Sequence, residues 1–266
     1  MAALSAWVDG IGLLGPGIDD WPAGARLLAG ETAWVWAAPS VPAPQCLPAA
    51  ERRRTGLTVR LALAVGLEAT ARAGAAPADL PAVFTSSGGD GENCHELCQA
   101  LATAERQVSP TRFHNSVHNA GAGYWGIATG ATAASNALCA YDASFGAGLL
   151  EAMTQVVIEG RTVLLTAYDT GYPEPLRTHR PLPDAFAVAL VLGAEASGAS
   201  LARLELGFTD EPAERMSAAA LEALRAAIPA ARSLPLLALL ARRDSGRAVL
   251  DYLGARRLSV QVSACR

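Results

Sequence analysis

Apolar and polar residues change their spacing along the chain in a way that alternates between strand and helix. Residues 4–12 alternate apolar residues with small ones and end in glycine, which predicts a first strand. Residues 51–74 place Leu57, Leu61 and Val65 at helical spacing, which predicts a long amphipathic helix. Because this alternation continues through the first two-thirds, we expect an α/β fold whose sheet is covered by helices on both faces.

The same periodicities predict the remaining elements. The expected strands are residues 82–85, 133–141 (a buried strand), 161–168, 186–193, 201–208 and 258–263. The expected helices are a short one capped by Asp19 or Asp20, residues 93–107, one that begins after Pro110, and residues 144–160 and 217–231, whereas residues 233–240 fit either type. We expect a mixed five-stranded layer with the helix at 144–160 buried beneath it, because the segment SFGAGLL carries small residues that allow close packing.

Composition sets the size of the core. The chain has 266 residues, of which 51% are hydrophobic and 17% are charged, and this is enough for a large core. We find no linker that separates two parts and no internal repeat. We therefore expect a single domain over residues 1–266, with a core at 1–207 and a shortened segment at 208–266.

Charge and cysteine content exclude several function classes. A net charge of −4 gives no field that attracts nucleic acid, and because all 21 basic residues are arginine, no lysine is available as a base or for a Schiff base. The five cysteines have no paired spacing, the N-terminal segment lacks the basic region of a signal peptide, and no apolar run is long enough to span a bilayer. We therefore expect a cytoplasmic protein with reduced thiols and no membrane span.

The candidate metal and phosphate motifs are weak. His114 and His118 are four residues apart, a spacing that can bind zinc on a helix, but interface or capping roles are favoured because the spacing alone has low specificity. The CHELC segment offers only three ligands, Cys94, His95 and Cys98, so free thiols on a surface helix are favoured. GGDG at 88–91 has no following lysine and predicts a turn. We expect neither a metal nor a cofactor.

Three segments together resemble the β-ketoacyl synthase family. VDGIGLLGPGIDDWPAGARLLAGE is similar to the first strand, glycine turn and helix of that family, SPTRFHNSVHNAGAGYWGIATG to its dimer and acyl-tunnel segment, and LCAYDASFGAGLLEAMTQVVIEGRTVLLTAYD to its nucleophile elbow and following helix. The resemblance covers residues 4–205. It implies a thiolase-like (β-ketoacyl synthase) fold with a complete N-terminal half and a much reduced C-terminal half.

Aligned by hand, the elbow carries Asp142 where the family has its nucleophilic cysteine. Cys139 lies three residues earlier, and strand alternation places the two side chains on opposite sides, so Cys139 cannot simply replace the nucleophile. For Asp142 we favour a cap of the following helix, because an Asp at a strand–helix turn accepts backbone N–H bonds. A salt bridge to an arginine, including one from a partner chain, and a role as acid or base remain open.

The chemistry of the family explains why this position matters. A thiolate takes the acyl group from a carrier thioester, and two histidines of the second half then assist decarboxylation. A carboxylate is a weak nucleophile toward a thioester, and no histidine follows His179 in this chain. We find no counterpart of the family's later histidine and Gly-Phe-Gly-Gly-type signatures. The resemblance therefore implies no catalytic residue and no condensation by the chain alone.

A narrower resemblance follows from the block SPTRFHNSVHNAGAGYW and from CAYDASF. Both are similar to short β-ketoacyl synthase-like proteins of bacterial aryl polyene clusters, which look like chain-length factors, the non-catalytic partners of a ketosynthase. The resemblance implies a heterodimer with a ketosynthase, an acyl carrier protein that brings the growing chain, and an interface and tunnel wall within residues 111–125. The implied interface residues are Phe113, His114, Val117, His118, Ala120, Tyr124 and Trp125, and Phe113 is the expected gate.

Two other classes of function compete with this hypothesis. One is an independent thiolase-fold enzyme that acts on acyl-carrier thioesters through Asp142, such as a decarboxylase or a hydrolase. The other is a stand-alone binding protein for an acyl carrier protein. The missing cysteine and histidines disfavour the enzyme, and a large apolar interface would disfavour the stand-alone binding protein.

Overall fold

A single mixed sheet of eight strands runs through the protein, whose computed structural model describes residues 4–265. Residues 1–3, the start of the N-terminal segment for which we expect no signal peptide, lie outside the described residues, as does residue 266. The strands are β1 (Leu4–Leu14), β2 (Ala82–Thr85), β3 (Ser135–Leu138), β4 (Val163–Asp169), β5 (Phe186–Gly193), β6 (Ala202–Thr209), β7 (Gly246–Asp251) and β8 (Arg257–Ala264). Their order is β3-β2-β4-β5-β1-β6-β8-β7, in which β2 is parallel to β3 and β4 and the other pairs are antiparallel.

Helices cover both faces of the sheet, as the alternating pattern predicts. They are α1 (Trp21–Leu28), α2 (Ala49–Arg52), α3 (Leu57–Ala73), α4 (Gly91–Ala102), α5 (Pro110–Asn115), α6 (Ala120–Thr129), α7 (Ser144–Glu159), α8 (Leu176–His179), α9 (Ala219–Ala227) and α10 (Leu234–Arg242). Successive residues of β5 enter two separate cores, because strand side chains alternate between faces. Val188 and Leu190 pack with α1, α7 and α10, whereas Ala189 and Val191 pack with α3 and α6.

Helix α3 lies almost directly on the backbone of β1. A Cβ atom added at Gly12 would lie 2.0 Å from the carbonyl oxygen of Val65, and one added at Gly10 would lie 2.1 Å from that of Ala69. Both contacts are with backbone atoms, so no side chain can rotate away. Glu68 of α3 completes the join, since its carboxylate accepts hydrogen bonds from the backbone N–H of Leu13 and Trp21.

The prediction of a buried helix after the elbow is confirmed for one face of α7. Phe145, Leu149 and Met153 are buried against the sheet, and a Cβ at Gly148 would lie 2.8 Å from the side chain of Thr85. The small residues thus allow the close packing that we expected. The buried stripe continues to Val156, which is 0% exposed, whereas Ile158 is 76% exposed.

Several predictions about the elements are wrong. The sheet has eight strands, whereas we expected a five-stranded layer. β7 at residues 246–251 is not among the predicted strands, because it carries Gly, Arg and Asp and gives no clear alternation in the sequence. The strand expected to be buried at 133–141 is the short edge strand β3, whose residues are exposed or half-buried. Residues 233–240 lie mainly in α10, and the helix expected at 217–231 ends at Ala227, before Pro229.

Candidate functional site

The turn between β3 and α7 is the elbow at which the sequence carries Asp142. Residues Tyr141–Ala143 form one turn of 3₁₀ helix, and Tyr141 has a φ of 52°. This left-handed conformation is uncommon for a residue with a side chain and marks the sharp apex of the turn. The thiol of Cys139 precedes the apex and donates to the carbonyl of Ser87 at 3.2 Å. Neither Tyr141 nor Asp142 offers a thiol at the apex.

Asp142 is held by two arginines and does not cap α7. The Nη2 atom of Arg180 donates to Oδ1 of Asp142 at 2.9 Å, and the Nη2 atom of Arg232 donates to Oδ2 at 3.1 Å. No side chain caps the N-terminus of α7, so the cap that we favoured is not formed. Both arginines belong to this chain. The salt bridge considered as an alternative therefore forms within the chain.

These ion pairs continue into the last third of the chain. Arg232 also contacts Asp251 of β7 at 3.3 Å, and Asp251 in turn contacts Arg225 of α9 at 3.0 Å. Arg225 is 9% exposed and pairs with Glu222, which lowers the pKa of that carboxyl to about 2. A continuous set of charges thus joins the elbow to the C-terminal strands.

Asp169, at the end of β4, is a buried carboxyl close to the elbow. It accepts backbone hydrogen bonds from Ser87 and Ala230, each at 2.8 Å. Burial raises the pKa of Asp169 to about 6, although the bonds from Ser87 and Ala230 oppose that shift. Asp169 therefore links the loop after β2 to the 3₁₀ turn Pro229–Ser233, which also carries Arg232.

A recess of about 430 Å³ opens beside the elbow. Tyr141, Asp142, His179 and Arg180 line one side, and alanines of α9 line the other. The sequence reasoning had singled out Asp142 but missed the two arginines and Asp169. No local motif identifies them, because they lie 27 to 90 residues away from Asp142 along the chain.

The segment predicted to form the interface is divided between surface and core. Phe113 and Val117 are 65% and 47% exposed, and His114 is exposed as well. Tyr124 and Trp125 are 1% and 2% exposed, so the expectation that they face a partner is wrong. Both side chains lie in the core between α3 and the sheet.

Trp125 packs closely on α3, since a Cβ atom added at Gly66 would lie 2.8 Å from the six-membered ring of its indole. The hydroxyl of Tyr124 donates to Oδ1 of Asn115 at 3.1 Å. His118 is half-buried, with its Nε2 atom 3.2 Å from the carbonyl oxygen of Ser86, and Ala120 is half-buried. Since α5 ends at Asn115, the two histidines do not share one helix, and the spacing argument for zinc does not apply. Within residues 4–265, no group of three or more candidate ligands is close enough to hold a metal ion.

A larger cleft of about 960 Å³ adjoins the same segment. Four arginines line it, Arg53, Arg54, Arg112 and Arg177. Arg53 and Arg177 form no salt bridge with any residue in the described range, and the pair of Arg112 with Glu96 is long at 3.6 Å. Three carboxylates, those of Asp90, Glu92 and Asp184, line the same cleft, so four basic side chains face three acidic ones. Arg53 and Arg177 are the arginines whose charge no ion pair in the described range offsets.

Comparison with known proteins supports both the family and the fold. The family model of the β-ketoacyl synthase N-terminal domain matches residues 28–250. Among curated proteins, no sequence matches this chain. Within the described residues, none of the helices has the combined length and apolar character that a bilayer crossing requires.

Solved structures share the fold at low sequence identity. A chain of the ketosynthase (ApeO) in complex with its chain length factor (ApeC) from Xenorhabdus doucetiae has a TM-score of 0.72 at 23% identity, with 97% of this chain and 99% of that chain covered. The ishigamide ketosynthase/chain length factor has a TM-score of 0.72 at 15% identity, with 98% and 100% covered.

A third structure, AntDE:AntF, is a type II polyketide synthase acyl-carrier protein in complex with its ketosynthase. It has a TM-score of 0.71 at 12% identity, with 98% of this chain and 99% of that chain covered. These likenesses extend over almost the full length of each chain and establish a thiolase-like fold. Together with the family match, they show that this chain belongs to the β-ketoacyl synthase N-terminal domain family.

Proposed function

We propose that this protein is a non-catalytic, chain-length-factor-like partner of a ketosynthase in aryl polyene biosynthesis, a type II polyketide and fatty-acid-like pathway. In this proposal the two proteins form a cytoplasmic heterodimer, and this chain helps to shape the acyl tunnel at their interface. The elbow supports the non-catalytic part, because Tyr141 and Asp142 stand where a ketosynthase needs its thiolate.

The free edge of the sheet at β3 is the observation that carries this proposal. β3 is the last strand on its side, contains neither proline nor a charged residue, and is exposed or half-buried throughout. Unprotected edges of this kind pair readily with another chain. Ile127 of α6, a helix that contacts β3, is an exposed apolar residue, and Phe113 and Val117, which precede α6 along the chain, are exposed as well.

The opposite edge of the sheet is protected. β7 carries Arg247 and Asp251, and the carbonyl of Val249 accepts a hydrogen bond from the backbone N–H of Glu214. Charged residues and covering segments are the usual ways in which proteins prevent pairing at a sheet edge. The contrast between the two edges favours β3 as the place where a partner adds its own strand.

An acyl carrier protein is the second proposed partner. The arginine-lined cleft supports this, because carrier proteins present a phosphodiester on the pantetheine arm, and guanidinium groups bind phosphate well. Replacing both Arg53 and Arg177 with Ala should weaken carrier binding and leave the heterodimer intact. The matched control is Arg26→Ala, which removes an exposed arginine from α1 on the other side of the sheet.

The proposal is tested by co-expression with a ketosynthase of the same pathway. The two proteins should co-purify, and the product length should respond to side-chain volume in the interface segment. Phe113→Ala should lengthen the chain that is accommodated, and Ala120→Phe should shorten it, as read by mass spectrometry. If the complexes stay intact and every variant gives the parental chain length, the tunnel role is wrong.

The chain alone should neither accept an acyl group from a carrier thioester nor decarboxylate a malonyl-carrier. Covalent acylation of Cys139, detected by mass spectrometry, would overturn this expectation. The competing hypothesis, an enzyme that acts through Asp142, has less support because both carboxylate oxygens already accept hydrogen bonds from arginine. Both oxygens are therefore directed at guanidinium groups of this chain.

A further inference from the structure

Two arginines from separate parts of the chain bracket one carboxylate at the elbow. Arg180 follows α8, and Arg232 lies in the 3₁₀ turn Pro229–Ser233. Each donates from Nη2 to a different oxygen of Asp142, at 2.9 and 3.1 Å. Charge-assisted bonds to both oxygens of a carboxylate are the arrangement by which proteins recognise acidic ligands.

The two guanidinium groups are held in place by contacts that do not involve Asp142. Arg180 lies over the ring of Tyr141, with its Cζ atom 3.6 Å from the ring centroid. Arg232 makes a second ion pair with Asp251, at 3.3 Å. Their side chains are only 16% and 20% exposed, and the Nε atom of each is buried with no hydrogen-bond partner in the described part of the chain. The pair therefore forms a preorganised site, which the carboxylate completes.

Solvent can reach this site. The recess of about 430 Å³ is lined by Asp142 and Arg180, with Ala223 and Ala226 on its far side. The side chain of Asp142 itself is 39% exposed. A small anion could therefore take the position of this side chain without disturbing the core.

We propose that Arg180 and Arg232 form a carboxylate-binding site and that Asp142 is its built-in occupant. In the native chain this side chain excludes acidic ligands from the recess. Removing it leaves Arg232 paired with Asp251 and Arg180 without a salt bridge in the described part of the chain, and the uncompensated positive charge then attracts a small carboxylate such as acetate or malonate. This inference does not depend on the proposed function, because it concerns the isolated chain.

Chemical rescue of Asp142→Ala tests the proposal. The melting temperature of each variant is measured in sodium acetate, sodium malonate and sodium chloride at equal ionic strength. At ten times its Kd, the carboxylate should raise the melting temperature of Asp142→Ala by roughly 4 °C over chloride. The wild-type chain should show no such difference. If Asp142→Ala does not fold in chloride, the same comparison is made on refolding yields.

Two further variants separate a specific site from a general effect of the anions. Glu211→Ala removes an exposed carboxylate that pairs with a single arginine, Arg247, and should show no rescue. The double variant of Asp142→Ala with Arg180→Gln should lose the rescue. If acetate and malonate stabilise Asp142→Ala no more than chloride does, or if Arg180→Gln leaves the rescue unchanged, the proposal is wrong. The proposed function is tested separately, by whether this chain and the ketosynthase co-purify as a heterodimer.

Discussion

A proline at position 137 should block pairing at the β3 edge without disturbing the sheet itself. The backbone N–H of Ala82 donates to the carbonyl of Ala134, and that of Ser86 donates to the carbonyl of Leu138. Even-numbered residues of β3 therefore direct their backbone groups toward β2, and by strand alternation Ser135 and Ala137 direct theirs to the free edge. Ala137→Pro removes an N–H that β2 does not use.

The size of the effect follows from the number of bonds at this edge. Ser135 and Ala137 offer two N–H and two carbonyl groups, or as many as four hydrogen bonds to a partner strand, each worth about 1 kcal/mol. Proline removes one donor, and its ring also hinders the approach of the partner strand. We expect a loss of about 1.5–3 kcal/mol, which is about a 10- to 100-fold weaker complex.

The assay is titration of the ketosynthase with the wild-type chain, Ala137→Pro and Ala137→Val. The valine variant is the matched control, because it changes the side chain and keeps the N–H. The melting temperature of the isolated proline variant should stay close to the wild-type value. The reasoning is refuted if a folded Ala137→Pro chain binds the ketosynthase as tightly as Ala137→Val does.

Three further predictions concern the core and the elbow. Because the pKa of Asp169 is raised to about 6, its stabilising contribution is present below about pH 4 and lost as the pH rises through 6. The free energy of unfolding of the wild-type chain, measured in urea relative to that of Asp169→Asn, should fall by up to about 3 kcal/mol between pH 4 and pH 7.5. If the difference between the two chains does not change with pH, the pKa of Asp169 is not raised. Asp142→Cys should place a thiol of lowered pKa beside two arginines, reacting about tenfold faster with iodoacetamide than Cys139 at pH 7, yet condensation should stay absent because the family's distal histidines are missing. Gly12→Ala should lower the free energy of unfolding by more than about 3 kcal/mol, whereas Gly207→Ala, which meets no atom within 4 Å, should be nearly neutral, and equal losses would refute the close packing of α3 on β1.

The sequence predicts elements well where apolar periodicity reflects burial. The strand expected at 186–193 matches β5 to the residue, because its side chains are buried on both faces and the run is continuously apolar. The pattern misleads at β3, where Ser135 and Asn136 are exposed and Ala137 and Leu138 are half-buried at the edge of the sheet. It also fails at β7, whose first residues are glycine and arginine. Apolar character alone does not distinguish a buried strand from one at an exposed edge.

The site is harder to predict because its geometry depends on distant segments. The sequence places Asp142 in the turn between a strand and a helix, and the structure agrees with that location. Its partners Arg180 and Arg232 lie 38 and 90 residues further along, in a loop and a 3₁₀ turn without periodic pattern. A helix cap requires only local sequence, so it was the favoured interpretation, but the tertiary ion pairs take both carboxylate oxygens.

The backbone conformation of the elbow is held by contacts that do not involve a reactive side chain. The left-handed φ of Tyr141 costs on the order of 1–2 kcal/mol for a residue with a side chain, and such strain persists only where the surroundings impose it. Here Ser144 supplies part of that constraint, since its hydroxyl accepts from the N–H of Ala140 and donates to the carbonyl of Tyr141. The stacked guanidinium of Arg180 supplies another part. Because these contacts come from the connection of β3 to α7 and from the ion pairs, none of them requires a nucleophile, and the sharp turn does not depend on a reactive group at its apex.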